Sequence, residues 1–418
     1  MLNGSPYITQ YVQLEEKGSS FVPIPEPGKR YYYVFWWHKI PLGHLYMEEV
    51  GIADLGMEIL DVIIPTLTHY KADKQQIDHI AQAYSTKDFL EFSKVMDEIL
   101  SPYRSLNIPD EVDVSVVICT RNRSESLKKC LDSLSKQICK PREIIVVDNA
   151  PSDDSTKSAV ALYPSVSYHK EPRPGLDIAR NTGARLASFP IVAYTDDDVS
   201  VDRLWAFRIW ETFLQEDIDA MTGLVIASSL ETESQQLFEK HWGFNKGYRD
   251  IHFTGDFILK APGAPKVWDI GAGANMAFRK KAIEQVNYFD DRLDVGAAGC
   301  SGDSEIWFRM LANNMAIHYN PRAYVFHEHR KEMAQLHKQL FGYMRGHSAS
   351  VLIQHAQNKA VGYKKYLYFK LPNYYLSLLL SGFPNYGFRY QTLWSEIKGL
   401  ISGIRFYHNH KHKPPSTP

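Results

Sequence analysis

The 418-residue chain is 44% hydrophobic and 23% charged, proportions that suit ordinary globular domains and exclude wholesale disorder. At ~100–200 residues per domain its length suits two or three of them. A formal net charge of -1 leaves no global field to gather nucleic acid, so no nucleic-acid partner is expected and any anion must be held by local clusters.

The chain opens without a basic stretch followed by an apolar one, so no secretory signal is expected. The aromatic run Tyr31–Trp37 suits strands. Apolar periodicity predicts helices over Ile52–Thr66 and Lys87–Leu100, and Asn107–Asp110 has the composition of a linker. Residues 1–110 therefore form a small α+β accessory region.

From Val114 strand and helix alternate. Val114–Cys119 is an uninterrupted apolar strand. Ser124 can cap a helix that places Leu127, Leu131 and Leu134 on one face. Strand Glu143–Val147 ends at Asp148, and a short helix follows near Ser155–Leu162, capped by Asp153 or Asp154. Val166–Tyr168 is a brief strand, Asp177–Ala187 a helix and Ile191–Thr195 a strand. This alternation predicts an α/β, Rossmann-like domain over 111–335 with a mainly parallel sheet. In such sheets ligands sit beyond the carboxyl ends of the strands, where Thr120, Asp148 and Asp196 fall. Beyond about residue 336 the pattern is helical, and His408–Pro415 has the composition of a frayed tail.

Four cysteines with no C-x-x-C pair, one of them in a buried strand, predict reduced thiols and a cytoplasmic protein. The longest apolar run, near Tyr374–Phe383, is about half the ~20 residues that a membrane-spanning helix needs. Together with Lys364–Lys370, which mixes lysines and aromatics, it suits peripheral contact with the inner face of a membrane. A helix packed on the neighbouring domain would carry the same pattern.

Asp196-Asp197-Asp198 offers hard oxygen ligands at a strand end, suited to Mg²⁺ or Mn²⁺. In isolation such a triplet favours a solvated acidic loop; its place after an apolar strand reverses that preference towards the metal. Asp148 can accept from a ribose or base, or serve a turn. Arg180, in the helix behind the Gly175 turn, suits a diphosphate but also an exposed helix surface. Asp303, near a helix start, is either a cap or a general base for an acceptor hydroxyl. His327 can complete a metal shell or be structural.

Taken in order, VSVVICTRNR (114–123), EIIVVDN (143–149), GLDIARNTG (175–183), IVAYTDDD (191–198), GANMAF (273–278), NYFDDR (287–292) and GDSEIWFRM (302–310) resemble the family 2 glycosyltransferases. The resemblance spans about residues 112–330. It implies a GT-A fold, inversion at the anomeric carbon and a nucleoside-diphosphate sugar donor. It places Thr120, Arg123 and Asp148 in the nucleotide pocket, with Asp177, Arg180 and Asp197 on the donor side. Asp196 and Asp198 match the D-x-D metal motif, His327 a position that approaches the metal, and Asp303 the catalytic base. Asn275 and Glu305 fall on the side of a carbohydrate or lipid-linked acceptor.

Two features depart from the family pattern. Gly302 stands where a Glu is usual, which leaves Glu305 as a substitute or Asp303 acting alone. A Q-x-x-R-W run is missing, which implies single-sugar addition, in polysaccharide or glycoconjugate synthesis, rather than processive synthesis. Two other functions fit parts of the pattern. A sugar-nucleotide nucleotidyltransferase should carry a Gly-rich loop after the first strand, and Thr120–Ser124 has no glycine. A non-catalytic carbohydrate-binding protein on the same scaffold finds support only in Gly302.

Overall fold

A computed structural model describes residues 6–15, 26, 28–47, 55–104, 107–294 and 297–412. The predicted start of the first helix at Ile52 and the tail residues 413–415 lie outside the described residues.

Strands β1 (Tyr7–Gln13), β2 (Arg30–Trp37) and β3 (Ile40–Met47) form a three-stranded sheet, β1 parallel and β3 antiparallel to β2. The aromatic run of β2 is buried on both faces for a period-2 reason. Tyr31, Tyr33, Phe35 and Trp37 pack with the helices Leu55–His69, Lys74–Ser85 and Phe89–Leu100. Tyr32, Val34 and Trp36 face the opposite way, into the largest core cluster of the chain. β1, β3 and the helix Lys74–Ser85 lie outside the elements that the sequence pattern predicts. The helix carries only two fully buried residues, Ile80 and Ala83, so its apolar signal is thin.

The main sheet has nine strands. β4 (Glu111–Thr120), β5 (Lys140–Asn149), β6 (Val166–Glu171) and β7 (Ile191–Asp196) pair in parallel, in the order β6-β5-β4-β7. The expected strands and intervening helices Ser124–Ser135, Ser155–Val160 and Leu176–Leu186 are all present. Ser124 is the first helical residue rather than the cap; Arg123 holds the cap position and makes no side-chain cap bond. Asp153 does accept from the Ser155 N–H at 2.8 Å.

The second half of the sheet is mixed. After β8 (Val199–Val201) and β9 (Ala220–Ala227) come β10 (Ile251–Phe253), β11 (Asn275–Arg279) and β12 (Ile317–His327). β11 runs antiparallel between β7 and β9, β12 is parallel to β9, and β8 and β10 pair antiparallel with β12. Helices cover both faces, and the two halves share two core clusters.

The helix Met333–Gln357 closes the open end of this domain, and Leu393–His410 packs along it. Close approach is paid for in glycine: a Cβ on Gly346 would stand 1.6 Å from the Cys300 carbonyl oxygen, and one on Gly403 2.0 Å from that of Arg345. His408–His410, expected as tail, continues the last helix, where His410 Nδ1 lies 2.8 Å from the Phe406 carbonyl oxygen. All four cysteines are free thiols. Among the described residues no helix is long and apolar enough to cross a membrane.

Candidate active site

One large cleft, about 1180 Å³, opens at the carboxyl ends of β4 and β7. Its floor is the acidic triplet. Its far wall comes from Gly299–Ser304, and its roof from the helix Met333–Gln357.

The triplet's three carboxylates have different partners. Asp197 is buried and accepts from Thr120 Oγ1 at 2.7 Å and Arg123 Nη1 at 2.5 Å. Burial nonetheless pushes its pKa up to about 7, against the pull of Arg123. Burial also works against Asp198, but His327, Arg123 and Arg330 outweigh it and hold the carboxyl at about 2. Arg123 Nη2 donates to Asp198 Oδ2 at 2.7 Å, and Arg330 Nη1 stands 3.5 Å from the same oxygen. Asp196 makes no side-chain hydrogen bond or ion pair among the described residues; burial and Asp198 push its pKa up to about 6.

His327, the last residue of β12, lies 3.5 Å from Asp198 Oδ1 through Nε2. Burial drives its pKa down to about 4, so the neutral imidazole keeps a lone pair to offer. One ligand atom from each of Asp196, Asp198 and His327 lies within 4.8 Å of the others. An unpartnered carboxylate, an ionised carboxylate and a neutral imidazole form a donor set that fits a divalent cation.

Across the cleft, Asp303 Oδ2 accepts from the Gly273 N–H at 3.0 Å and Oδ1 from the Ser304 N–H at 2.7 Å. Between Asp303 and the triplet lies Arg180, buried and paired with Asp177 at 3.0 Å. Its helix, Leu176–Leu186, begins at the cleft, and Asp294 receives the Asp177 and Ile178 N–H groups at that end. Asp294 was missed from sequence, because its partners lie more than a hundred residues upstream.

Three predicted residues stand elsewhere. Glu305 is fully buried; Arg309 donates to both its oxygens, at 2.6–2.9 Å, and Gln357 to Oε1 at 3.1 Å. Helical spacing carries it away from Asp303 into an ion pair with Arg309, outside the lining of the cleft. Asn275 is likewise a brace. Its Nδ2 donates to the carbonyls of Leu224 and Ala323, and its Oδ1 accepts from Trp205 Nε1 at 2.9 Å. Asp148 is buried behind Asn149, which lines the cleft. Tyr168 donates to Asp148 Oδ2 at 2.9 Å, and Oδ1 has no partner. Thr120, Arg123, Asp177, Arg180, Asp196, Asp197, Asp198, Asp303 and His327 all line the one cleft.

The roof adds basic groups that sequence reasoning missed. Arg330, Lys338 and Arg345 line the cleft, and so do His347 and Tyr374. Lys338 and Arg345 are seven residues apart, two helical turns, which is the signal that could have found them.

Residues 115–286 match the family model "Glycosyl transferase family 2", so the resemblance read from the motifs holds over that segment. The pre-mycofactocin glycosyltransferase of Mycobacterium tuberculosis is 26% identical over 278 residues, 64% of this chain and 53% of that protein. The glycosyltransferase GlyA of Streptococcus pneumoniae is 22% identical over 220 residues, 51% of this chain and 30% of that one. The chain thus spans about half the length, or less, of these curated relatives. Among solved structures, the mannosyltransferase PcManGT of Pyrobaculum calidifontis, in complex with GDP-Man and Mn²⁺, is similar at 16% identity and a TM-score of 0.48. That likeness covers 82% of this chain and 99% of that one.

Proposed function

We propose that this chain, which carries a family 2 glycosyltransferase segment over residues 115–286, moves one sugar at a time from a nucleoside-diphosphate sugar to an acceptor hydroxyl, with inversion at the anomeric carbon. The observation that carries the proposal is that one cleft holds a divalent-cation donor set on one side and Asp303 on the other.

Asp303 is the general base. It is anchored through the Gly273 and Ser304 N–H groups, and its half-buried carboxylate takes the acceptor's hydroxyl proton. The acceptor oxygen forms a bond to C1 as the bond from C1 to the diphosphate oxygen breaks. Attack from the side opposite the diphosphate inverts the centre.

Asp196, Asp198 and His327 would hold Mg²⁺ or Mn²⁺, which supplies Lewis-acid neutralisation of the leaving diphosphate. Arg180, on the cleft wall, Arg330, just ahead of the roof helix, and Lys338 and Arg345, from that helix, add positive charge there. Thr120 and Arg123 orient the triplet by fixing Asp197. Asp148, buried one residue behind the cleft-lining Asn149, would act on the nucleoside side through the position of that neighbour.

The acceptor is a carbohydrate or a lipid-linked one, in polysaccharide or glycoconjugate synthesis at the cytoplasmic face of a membrane. The exposed apolar side chains Phe369, Leu376, Leu380 and Phe383, next to Lys364, Lys365 and Lys370, support surface contact. Residues 1–110 and 336–418 act as an accessory region and a roof to the domain at 111–335.

A thermal-shift screen of nucleotide sugars with and without Mn²⁺ tests this reading. A donor at a hundred times its Kd should stabilise by ~2.7 kcal/mol, and only with the ion present. No metal-dependent shift with any nucleotide sugar, and no transfer or donor hydrolysis, would refute it.

A further inference from the structure

We propose a second metal site, for a zinc-like transition ion, held by Glu216, His252 and His318 at the far end of the main sheet from the cleft. His252 and His318 are directly opposed in the antiparallel pair of β10 and β12. Their rings stack with centroids 4.1 Å apart. Glu216 follows the helix Trp205–Gln215, just ahead of β9. One ligand atom from each of the three lies within 4.8 Å of the others. Tetrahedral zinc with ligands at ~2.0–2.2 Å needs donor atoms ~3.5 Å apart, a closure that rotation of the exposed His252 side chain can supply.

Hydrogen bonding around His318 points to an ion. His318 is 2% exposed, and its Nε2 lies 2.9 Å from Asp250 Oδ1. A carboxylate can only accept, so Nε2 carries the proton and the neutral ring's lone pair sits on Nδ1. That Nδ1 is buried and has no partner. The Glu216 carboxylate makes no hydrogen bond or ion pair among the described residues, and His252 contributes only its stacking contact. An orphaned nitrogen, an unpaired carboxylate and a second imidazole converge, with an acidic group behind the buried histidine. Carboxylate–histidine–metal arrangements take this form, in which the outer carboxylate fixes the tautomer and raises ligand basicity.

The donor set differs in kind from that of the cleft. Two imidazoles and one carboxylate suit Zn²⁺ and its neighbours, whereas carboxylate-rich sets suit Mg²⁺ and Mn²⁺. The two sites are also separate. β7, β9 and β12 run in the same direction. Asp196 ends β7, whereas Glu216 lies just ahead of β9 and His318 at the start of β12. Strand length puts on the order of 15 Å between them.

The site also has a structural reach. Asp250 receives Arg322 Nη2 at 3.0 Å and donates its N–H to His69 Nε2 at 3.1 Å. His69 ends the helix Leu55–His69 of the N-terminal region. An ion on His318 would therefore brace the junction between that region and the sheet, a role independent of donor binding in the cleft.

The test uses the untagged full chain, stripped with a chelator and titrated with Zn²⁺ alone. The Asp198→Ala variant serves as parent, to remove the cleft's donor set. The histidines at 408, 410 and 412 can bring zinc affinity of their own, so the readout is a difference between variants. The parent should bind zinc with a rise in melting temperature, and adding His252→Ala should remove one equivalent and that rise. Glu216→Gln should weaken the same equivalent at least tenfold, and Asp250→Asn by ~10–100-fold. His252 is exposed, so its variant should melt as the parent does without zinc. Equal zinc stoichiometry and affinity with and without His252, or no binding by the parent, would overturn the site.

Discussion

A Cβ placed on Gly302 would stand 2.0 Å from Asp177 Oδ2. The carboxylate of Asp177 occupies the space that any side chain at 302 would need. Asp177 lies 125 positions upstream, in the helix that also carries Arg180, and it is buried beside the Asp303 backbone turn. The carboxylate expected at 302 from the family pattern is therefore not simply missing. Its place is taken by one from another helix.

Gly302→Ala should accordingly be costly. Overpacking a buried position typically costs ~1–3 kcal/mol, and here the group displaced is the partner of Arg180. The variant should melt lower and turn over more slowly, with the loss eased when Asp177→Ala is added. Melting curves and turnover of the two single variants and the double variant measure this. Additive losses would show that the two positions do not compete.

Asp303→Asn should lower turnover by ~10²–10⁴-fold, the usual worth of a positioned base. Nucleotide binding should change little, since Asp303 is not among the groups assigned to the donor. Asn offers one oxygen where Asp offers two, so one of the bonds to Gly273 and Ser304 is lost, at a cost of ~1 kcal/mol. A folded, donor-binding, nearly inactive protein is the expected result. Near-normal turnover would reduce Asp303 to a helix-start residue that fixes Gly273.

Asp198→Ala should abolish the dependence of nucleotide binding on Mn²⁺, and chelation of the unaltered protein should do the same reversibly. The substitution frees Arg123 Nη2 and Arg330 from their shared carboxylate oxygen. Metal-free binding of nucleoside diphosphate could therefore hold or rise, while the metal-dependent part vanishes. Calorimetric titration with UDP and GDP, with and without Mn²⁺, separates the two components. An unchanged response to Mn²⁺ would place the ion elsewhere.

Leu380 and Phe383 are 70% and 74% exposed, and Lys364, Lys365 and Lys370 lie a few turns away. The full chain should sediment with anionic liposomes at low salt, each lysine near the surface contributing ~1 kcal/mol. Leu380→Glu with Phe383→Glu should release it without lowering turnover on a soluble acceptor. Sedimentation that is absent, or equal for the variant, would leave this face as ordinary surface.

Local patterning was enough to reveal the strands and helices from Val114 to Asp196, because an apolar run ended by a strand-end polar residue needs no distant partner to be legible. The motif order gave a resemblance that the family model matches over residues 115–286, and the strand-end positions of Thr120, Asp196 and Asp198 gave the cleft floor. The aromatic run Tyr31–Trp37 announced a strand, yet only packing shows that its two faces serve two different cores. Glu305 and Asn275 show how packing can engage a polar group that the sequence offers. Each has the residue type and position for a ligand, but Arg309 claims one and two carbonyls with Trp205 the other. Asp294, Arg330, Lys338 and Arg345 reach the site from segments far apart in the chain, as does the carboxylate that fills the space at Gly302. Sequence determines which groups are available to this protein. Which of them face the same cavity depends on long-range pairing and burial, and those exist only once the sheet and its roof have come together.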